Sequence, residues 1–564
     1  MISKRPHLAT RPWIAAALLV ALAAAGAASP LGCGREEEGG GEITVSQAEG
    51  HRLDPAFAYR TDNAGPVEAS EPLSLVYTPL LAYRREEGMA GSELIPGLAR
   101  SLPEVSDNGR TYTLALRKGL EYSNGTEVRA RDFEHTVKRV LRAGSDAAAF
   151  FERVEGAAEY LAEGDPAGDI RGIRTDDRTG EIVIELTEPD ASFANALAMW
   201  FAAPVPSNTS FRDRSADPPP GVGPYEIAES VPGRRFVLEK SETFPTLAIP
   251  DIPTGNVDRI TAEIGDGSER QAEGVLGGRL DYMQDPAPES VRSQLISDAD
   301  ERYQEWPAPS TLFAFLNPQA PPFDDPRVRQ AVNYAVDRAA VARSFPGGLE
   351  SGCSLLPPNT PGYDEALDTT ECPYGDPSRP PDIARARQLV ETAGDVGTAV
   401  TVWETGVEEL DGVVDAYVEA LVAIGLDVGR AMPGGRSRPT ELPRDAQTGV
   451  VWWFEDYPHP LNIYSLLATD AAGPLGAPAL PDLGDPRIDR SLDRLNLEPE
   501  LDEVAEEWAA LDRYVVSPPQ SYVVPLGHPR LSTLMSERMD PDTVKPHPVY
   551  LNDYSSFALA PGDD

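Results

Sequence analysis

The chain has 564 residues, 41% hydrophobic and 25% charged, with a formal net charge of -42 at pH 7. It is too long for one hydrophobic core, because cores stop growing near ~250–300 residues; about three domains are expected at the usual domain length. With 91 acidic residues against 49 basic ones, nucleic acid is excluded as a partner, and so is a polybasic grip on anionic lipid. The acidity serves solubility in the plainest reading, and attraction of cationic ligands or adaptation to salt in the sharper one.

The first segment reads as a targeting sequence. Lys4, Arg5 and Arg11 form a positive region, and Ile14 to Ala25 an apolar run too short to span a bilayer comfortably. Ser29-Pro30-Leu31-Gly32-Cys33 resembles a bacterial lipobox, in which the Cys after the cleavage point receives lipid. The usual Leu stands three residues before that Cys; here Pro30 occupies the place and Leu31 is one late. A signal peptide over 1–32 with lipid on Cys33 is therefore expected, the alternative being cleavage after Ala27 or Ser29 and a soluble periplasmic or secreted product. Residues 33–41, rich in Gly and Glu, read as a tether. The chain has three Cys. In an oxidising compartment Cys353 and Cys372 are expected to pair, leaving Cys33 for lipid. That bond would close a loop worth on the order of 3 kcal/mol. Neither Cys has a CxxC spacing or a nearby His that would suggest metal.

Folded sequence begins at Glu42-Ile43-Thr44-Val45, a strand pattern. Thr111 to Leu116 alternates at period two, and so does Glu181 to Leu186, with Ile182, Ile184 and Leu186 on one face. Asp107-Asn108-Gly109 reads as a hairpin turn rather than a calcium loop, and Asn124-Gly125 as another turn. The pattern predicts helices over Ala130–Leu141, with Asp132 in the first turn, and over Arg327–Arg343, Asp382–Ala393, Gly412–Ile424 and Leu501–Val516. Asp324-Asp325-Pro326 reads as a capped helix start. Gly221 and Gly223 are expected to let the chain turn tightly. Ala399–Trp403 reads as a strand. The chain is thus a mixed α/β protein of several domains.

Enzyme signatures are missing. The sequence has no GxSxG, no HExxH and no GxxxxGK[ST]. Gly221-Val222-Gly223 lacks the third glycine of a dinucleotide fingerprint. His51, His135, His459, His528 and His547 are scattered without metal-ligand spacing, and His135 reads as a surface or cap residue. No cofactor and no metal are expected.

A series of unusual blocks remains. Leu94-Ile95-Pro96-Gly97-Leu98-Ala99 leads to Ser106-Asp107-Asn108-Gly109-Arg110-Thr111-Tyr112-Thr113-Leu114, then Leu116-Arg117-Lys118-Gly119 and Tyr122-Ser123-Asn124-Gly125. Gly221-Val222-Gly223-Pro224-Tyr225 follows, then Pro322-Phe323-Asp324-Asp325-Pro326-Arg327-Val328-Arg329-Gln330-Ala331, and last Trp453-Phe454-Glu455-Asp456-Tyr457-Pro458. In kind and order they resemble the family 5 extracellular solute-binding proteins, the oligopeptide-, dipeptide- and nickel-binding components of bacterial ABC importers. The resemblance spans about 42–560. It departs at Leu102, where the family often has Trp, and at Ser123-Asn124.

The resemblance implies a two-lobed periplasmic-binding-protein-like fold of the large, type II kind, with an extra α/β domain inserted in the first lobe. Lobe I would collect 42–80, 205–308 and 531–564, the inserted domain 81–204, and lobe II 309–530. Crossings near Pro307 and Pro529 would form the hinge. The implied function is capture of a small peptide or similar solute in the cleft between lobes, by an extracytoplasmic monomer held to the membrane by its lipid and serving an ABC permease and its ATPases. A peptide sensor or chaperone on the same scaffold, or a secreted enzyme, are the alternatives. Asp456, three residues after Trp453, matches the family's Asp that pairs with a peptide's free α-amino group. Trp453, Tyr457, Trp403 and Tyr59 are the aromatics expected to pack along the ligand. Strand alternation puts Trp452 and Trp453 on opposite faces, with Trp453 toward the ligand.

Overall fold

The computed structural model describes residues 40–47, 52–59, 70–298, 300–432, 442–443, 445–469, 480, 483–498 and 500–562. The expected signal peptide, Cys33 and most of the tether lie outside them. Among the described residues twelve strands form one continuous sheet. Along its main path the order is Asp427–Ala431, Ala399–Trp403, Thr448–Phe454, Ser310–Leu316, Val523–Met535, Tyr282–Met283, Glu42–Gln47, Arg259–Ile264, Arg235–Lys240 and Tyr225–Val231. Tyr303–Pro307 and Leu349–Glu350 pair with Val523–Met535 off that path.

That 13-residue strand joins the two lobes. Its first part pairs antiparallel with Leu312–Phe315, and its last part pairs with Tyr303–Pro307 and with Tyr282–Met283. The change of partner falls at Gly527, His528 and Pro529. Gly527 has φ +146°, and a Cβ there would sit 2.1 Å from the Glu350 carbonyl oxygen, so only glycine fits. The second crossing is the short step from Pro307 to Ser310, between paired strands.

Side-chain burial follows the same division. One apolar cluster gathers Ile43 to Ala262 with Met535 to Phe557. Two others, on opposite faces of the second half of the sheet, are built from residues between Leu312 and Leu526. A separate four-stranded sheet, Glu104–Ser106, Thr111–Ala115, Glu181–Glu185 and Ile173–Asp176, lies under the helix Ala130–Ala143. Period-two alternation is visible in it: Ile182 and Ile184 are fully buried and Leu186 nearly so.

Local chemistry sets several boundaries. Asp132 Oδ2 accepts the Arg129 N–H at 2.9 Å and starts its helix. Asp325 Oδ1 accepts the Arg327 N–H at 2.8 Å, with Pro326 at the first helical position. The predicted helix Arg327–Arg343 is in fact two, Pro326–Ala335 and Arg338–Ser344. Val336 is extended, and Asp337 caps the second helix through the Ala340 N–H at 2.8 Å. An Asp at that position competes with the helix it interrupts. Gly221 and Gly223 do not supply positive φ. They allow close approach instead: added Cβ atoms would fall 2.2 Å from the carbonyl oxygens of Val76 and Leu75. His135 is half-buried rather than a surface or cap residue, with Nε2 2.8 Å from the Thr209 carbonyl oxygen.

Candidate functional site

Thr448–Phe454 is the strand that carries the sequence-predicted site to the boundary between lobes. It runs antiparallel to Ser310–Leu316, with Phe454 opposite Ser310, the first residue after the crossing. Directly beyond, the Glu455 N–H donates to the Pro309 carbonyl at 2.8 Å. The turn Glu455-Asp456-Tyr457 therefore leaves the second lobe beside the crossing, where the first lobe faces it.

The two tryptophans on this strand separate as alternation requires. Trp452 packs edge-on against Phe345 at 5.2 Å and donates its Nε1–H to Ser310 Oγ at 2.8 Å. Trp453 lies on the other face and donates its Nε1–H to Asn462 Oδ1 at 2.8 Å. Asn462 stands on the short helix Leu461–Tyr464 and is fully buried. Its Nδ2 donates to Asp456 Oδ2 at 2.9 Å, and its Oδ1 also accepts the Asp456 N–H at 3.4 Å.

Asp456 is half-buried and bridges the lobes. Its Oδ1 accepts the hydroxyl of Tyr59, which comes from the N-terminal segment 397 residues away in sequence. Among the described residues no Lys, Arg or His reaches it. Burial pushes its carboxyl up to about 6, against the opposing pull of the Asn462 amide. Glu455 beside it is buried, accepts the Thr360 hydroxyl at 2.6 Å, and is raised well above the carboxylate range by burial.

Tyr59 closes the site from the first lobe. Its ring meets Phe150 at 5.5 Å, Phe201 at 5.3 Å and Trp200 at 6.1 Å. Tyr457 crosses the other way. It belongs by sequence to the second half, yet it is 2% exposed within the first lobe's apolar cluster. It packs against Phe150 at 6.1 Å, and its hydroxyl donates to Ser192 Oγ at 3.0 Å. Behind Ser192, burial raises the Asp190 carboxyl to about 6. Asn496 adds a further link between lobes, donating to the Pro189 carbonyl at 2.8 Å and accepting the Ala191 N–H at 3.0 Å.

Of the residues singled out in the sequence, the structure brings together Asp456, Trp453, Tyr457 and Tyr59. It does not bring Trp403 to them. Trp403 pairs with Gly449, four residues before Trp453, which is roughly 13 Å along a strand. Asn462, which binds both Trp453 and Asp456, escaped the sequence reading. An Asn six residues after an Asp carries no signal of its own. The pair Cys353–Cys372 is joined as a disulfide, Cα–Cα 5.7 Å, in the second lobe. Among the described residues no group of three or more His, Cys, Asp or Glu is placed to hold a metal.

The family model for bacterial extracellular solute-binding proteins, family 5 Middle, matches residues 93–474. The dipeptide-binding protein of Escherichia coli strain K12 is 28% identical over 349 residues, 58% of this chain and 61% of that one. The periplasmic oligopeptide-binding protein OppA of the same strain is 27% identical over 314 residues, 53% of this chain and 56% of that one. The chain thus spans about three fifths of the length of these curated relatives. Among solved structures, clavulanic acid biosynthesis oligopeptide binding protein 2 superposes with a TM-score of 0.80 at 26% identity, covering 93% of this chain and 96% of that one. The murein tripeptide binding protein MppA in its unliganded open form shares the fold, with a TM-score of 0.71 at 20% identity over 92% of this chain and 97% of that one. A match over residues 93–474, on the two-lobed fold just described, makes this chain a member of the family 5 bacterial extracellular solute-binding proteins, a family of binding proteins rather than enzymes.

Proposed function

We propose that this chain binds peptides by their free amino end in the cleft between its lobes and delivers them to an ABC permease. The observation that carries the reading is Asp456: a carboxylate held where the lobes meet, supplied with neutral donors only, and raised to about 6 by burial. A group so placed gains most from a ligand that brings its own positive charge, and an α-ammonium offers three charge-assisted donors. Contacts from both lobes to one ligand favour the closed form, so binding and closure are linked. The names of the relatives, which bind dipeptides and oligopeptides, point to the same class of solute. The same reading divides the chain into lobe I (42–80, 205–308, 531–564), the inserted domain 81–204 and lobe II (309–530), and holds it outside the cytoplasm through lipid on Cys33.

The test is calorimetry of a free tripeptide and its N-acetylated copy on the wild type and on Asp456→Asn. Acetylation of the ligand and the substitution are each expected to weaken binding by about 1.5–3 kcal/mol, roughly 10- to 150-fold, and not to add. Equal affinity of the wild type for both peptides would remove the amino-end anchor and with it the peptide reading.

A further inference from the structure

The ligand site has a hidden support. One side-chain amide, that of Asn462, meets three groups of the site: the Trp453 indole N–H at 2.8 Å, the Asp456 backbone N–H at 3.4 Å and the Asp456 carboxylate at 2.9 Å. The residue is fully buried, and its own backbone N–H is bonded to the His459 carbonyl at 2.8 Å, so its stem is fixed by the turn before it. The orientation of the amide is decided by chemistry. An indole N–H is a donor only and a carboxylate an acceptor only, so Oδ1 must face Trp453 and Nδ2 must face Asp456. A flipped amide would set donor against donor and acceptor against acceptor.

We propose that Asn462 is the positioning residue of the ligand site: it selects which oxygen of Asp456 is turned to the cleft and couples the charge state of that carboxylate to the Trp453 indole. Nδ2 occupies Oδ2, which leaves Oδ1, the oxygen that meets Tyr59, as the one presented across the cleft. Hydrogen bonding to the charged form favours it, so the same amide keeps Asp456 ionised at a lower pH than burial alone would allow. The indole feels the change through the shared amide, because ionisation of Asp456 polarises Asn462 and strengthens the Oδ1 acceptor that Trp453 uses. The other titratable groups around Asp456 are the Tyr59 hydroxyl from the first lobe, Tyr457 on its own turn, Glu455 beside it in sequence with its carboxylate on the Thr360 hydroxyl, and Arg153, 3.9 Å from Asp190. Asp190 stands behind Ser192, the partner of Tyr457.

This inference rests on Asp456 being the ligand anchor, and its test has an arm free of ligand. Full-length protein is labelled with 5-fluorotryptophan, and the Trp453 signal among the seven tryptophans is assigned with Trp453→Phe. In the wild type that signal should titrate with a midpoint near the carboxyl's own, about 6, and Asp456→Asn should abolish the titration. Asn462→Asp is isosteric. It keeps the acceptor for the indole but replaces the donor with a second carboxyl, and should move the midpoint up by a unit or more. Asn462→Ala should uncouple the signal from pH altogether. In the ligand arm, Asn462→Ala should weaken trialanine binding tenfold or more at pH 6 and clearly less at pH 8, whereas a merely structural loss would be the same at both. A Trp453 signal that titrates in Asn462→Asp as it does in the wild type overturns the proposal. Failure of the wild type to bind trialanine counts against the peptide reading alone, and the fluorine titration still decides the role of Asn462.

Discussion

Asp368 and Asp456 are both carboxylates beside a crossing between lobes, and their surroundings treat charge in opposite ways. Asp368 Oδ2 lies 3.0 Å from Nε2 of His528, a residue of the crossing strand, and also accepts the Tyr363 hydroxyl at 2.9 Å. Its Oδ1 accepts the backbone N–H groups of Cys353 and Ser354 at 2.6 Å each. Burial alone would raise it, but His528 and those N–H groups outweigh burial and hold it below the ordinary value. His528 shows the converse. Burial opposes its charged form, yet Asp368 keeps its pKa above the ordinary value. Asp456 receives two neutral donors and no cation among the described residues, and burial prevails. Full internal compensation marks a strut. A carboxylate left short of positive charge, at the place where the lobes meet, is what the ligand anchor proposed above requires.

The contrast is broken most directly by deletion. Asp368→Ala leaves His528 buried without its partner, and removal of one member of a buried pair costs about 3–5 kcal/mol. Asp456→Ala removes a charge that the fold itself does not compensate, so stability at pH 7 should be unchanged or higher. Urea unfolding of both variants measures the difference. Equal losses would show that Asp456 is structural too.

Smaller, and opposite in sign for the two residues, is the response to pH. The folded Asp456 carboxyl stands at about 6, above its unfolded value of about 3.9. Between those values the folded state binds more protons, so stability falls as pH rises, by at most roughly 2–3 kcal/mol. Asp190 and Asp512, also raised to about 6 by burial, add to the same slope. Asp368, held low, contributes stability that is present above its unfolded pKa and is lost as pH falls through its folded value. His528, held high, contributes stability that is lost as pH rises through its folded value. Unfolding midpoints taken from pH 4 to 7 should therefore fall less steeply in Asp456→Asn than in the wild type. An unchanged slope would mean that this carboxyl is ionised throughout.

What the sequence made legible was local or patterned. Asp325-Pro326 announced its helix, Ile182 and Ile184 their buried face, and the spacing of Trp453 and Asp456 their nearness at one strand end, because each signal lies within a few residues. Contacts made across the chain gave no such signal. Tyr59 meets Asp456 over 397 residues of sequence, and Tyr457 is buried in the core of the opposite lobe. Only the path of the two crossings brings those surfaces together. Asn462 was invisible for another reason: it satisfies two donors and one acceptor from a short buried helix, and an Asn just after a Pro-rich turn is ordinary on composition alone. Trp403 shows the limit of aromatic character as a signal: the parallel register with Thr448 and Gly449 sets it back along the sheet from Asp456, against the same apolar cluster as Trp453.

The finest probe of the contrast is the Tyr59 hydroxyl. Tyr59→Phe keeps the ring among Phe150, Trp200 and Phe201, so its effect on stability should stay near or below about 1 kcal/mol. Its effect on binding depends on whether an ammonium replaces the hydroxyl on Asp456 or joins it. Asn462 holds Oδ2, while Oδ1 has two lone pairs and gives only one to Tyr59. The phenol oxygen, having donated its proton, presents lone pairs of its own to a neighbouring cation. An arriving ammonium can thus bond Oδ1 and the phenol oxygen together, and Tyr59 acts as a second acceptor rather than a competitor. Loss of the hydroxyl then removes one ligand contact and one donor that favours the ionised carboxylate. A free tripeptide should bind Tyr59→Phe about 2- to 10-fold more weakly at pH 7, from a hydrogen bond of roughly 0.5–1.5 kcal/mol. The loss should be larger at pH 6, where the variant's carboxyl is more often protonated. Calorimetry at the two pH values checks both statements. Tighter binding in the variant would instead make Tyr59 an internal stand-in for the ligand, and Asp456 would then be compensated by the fold after all, as Asp368 is.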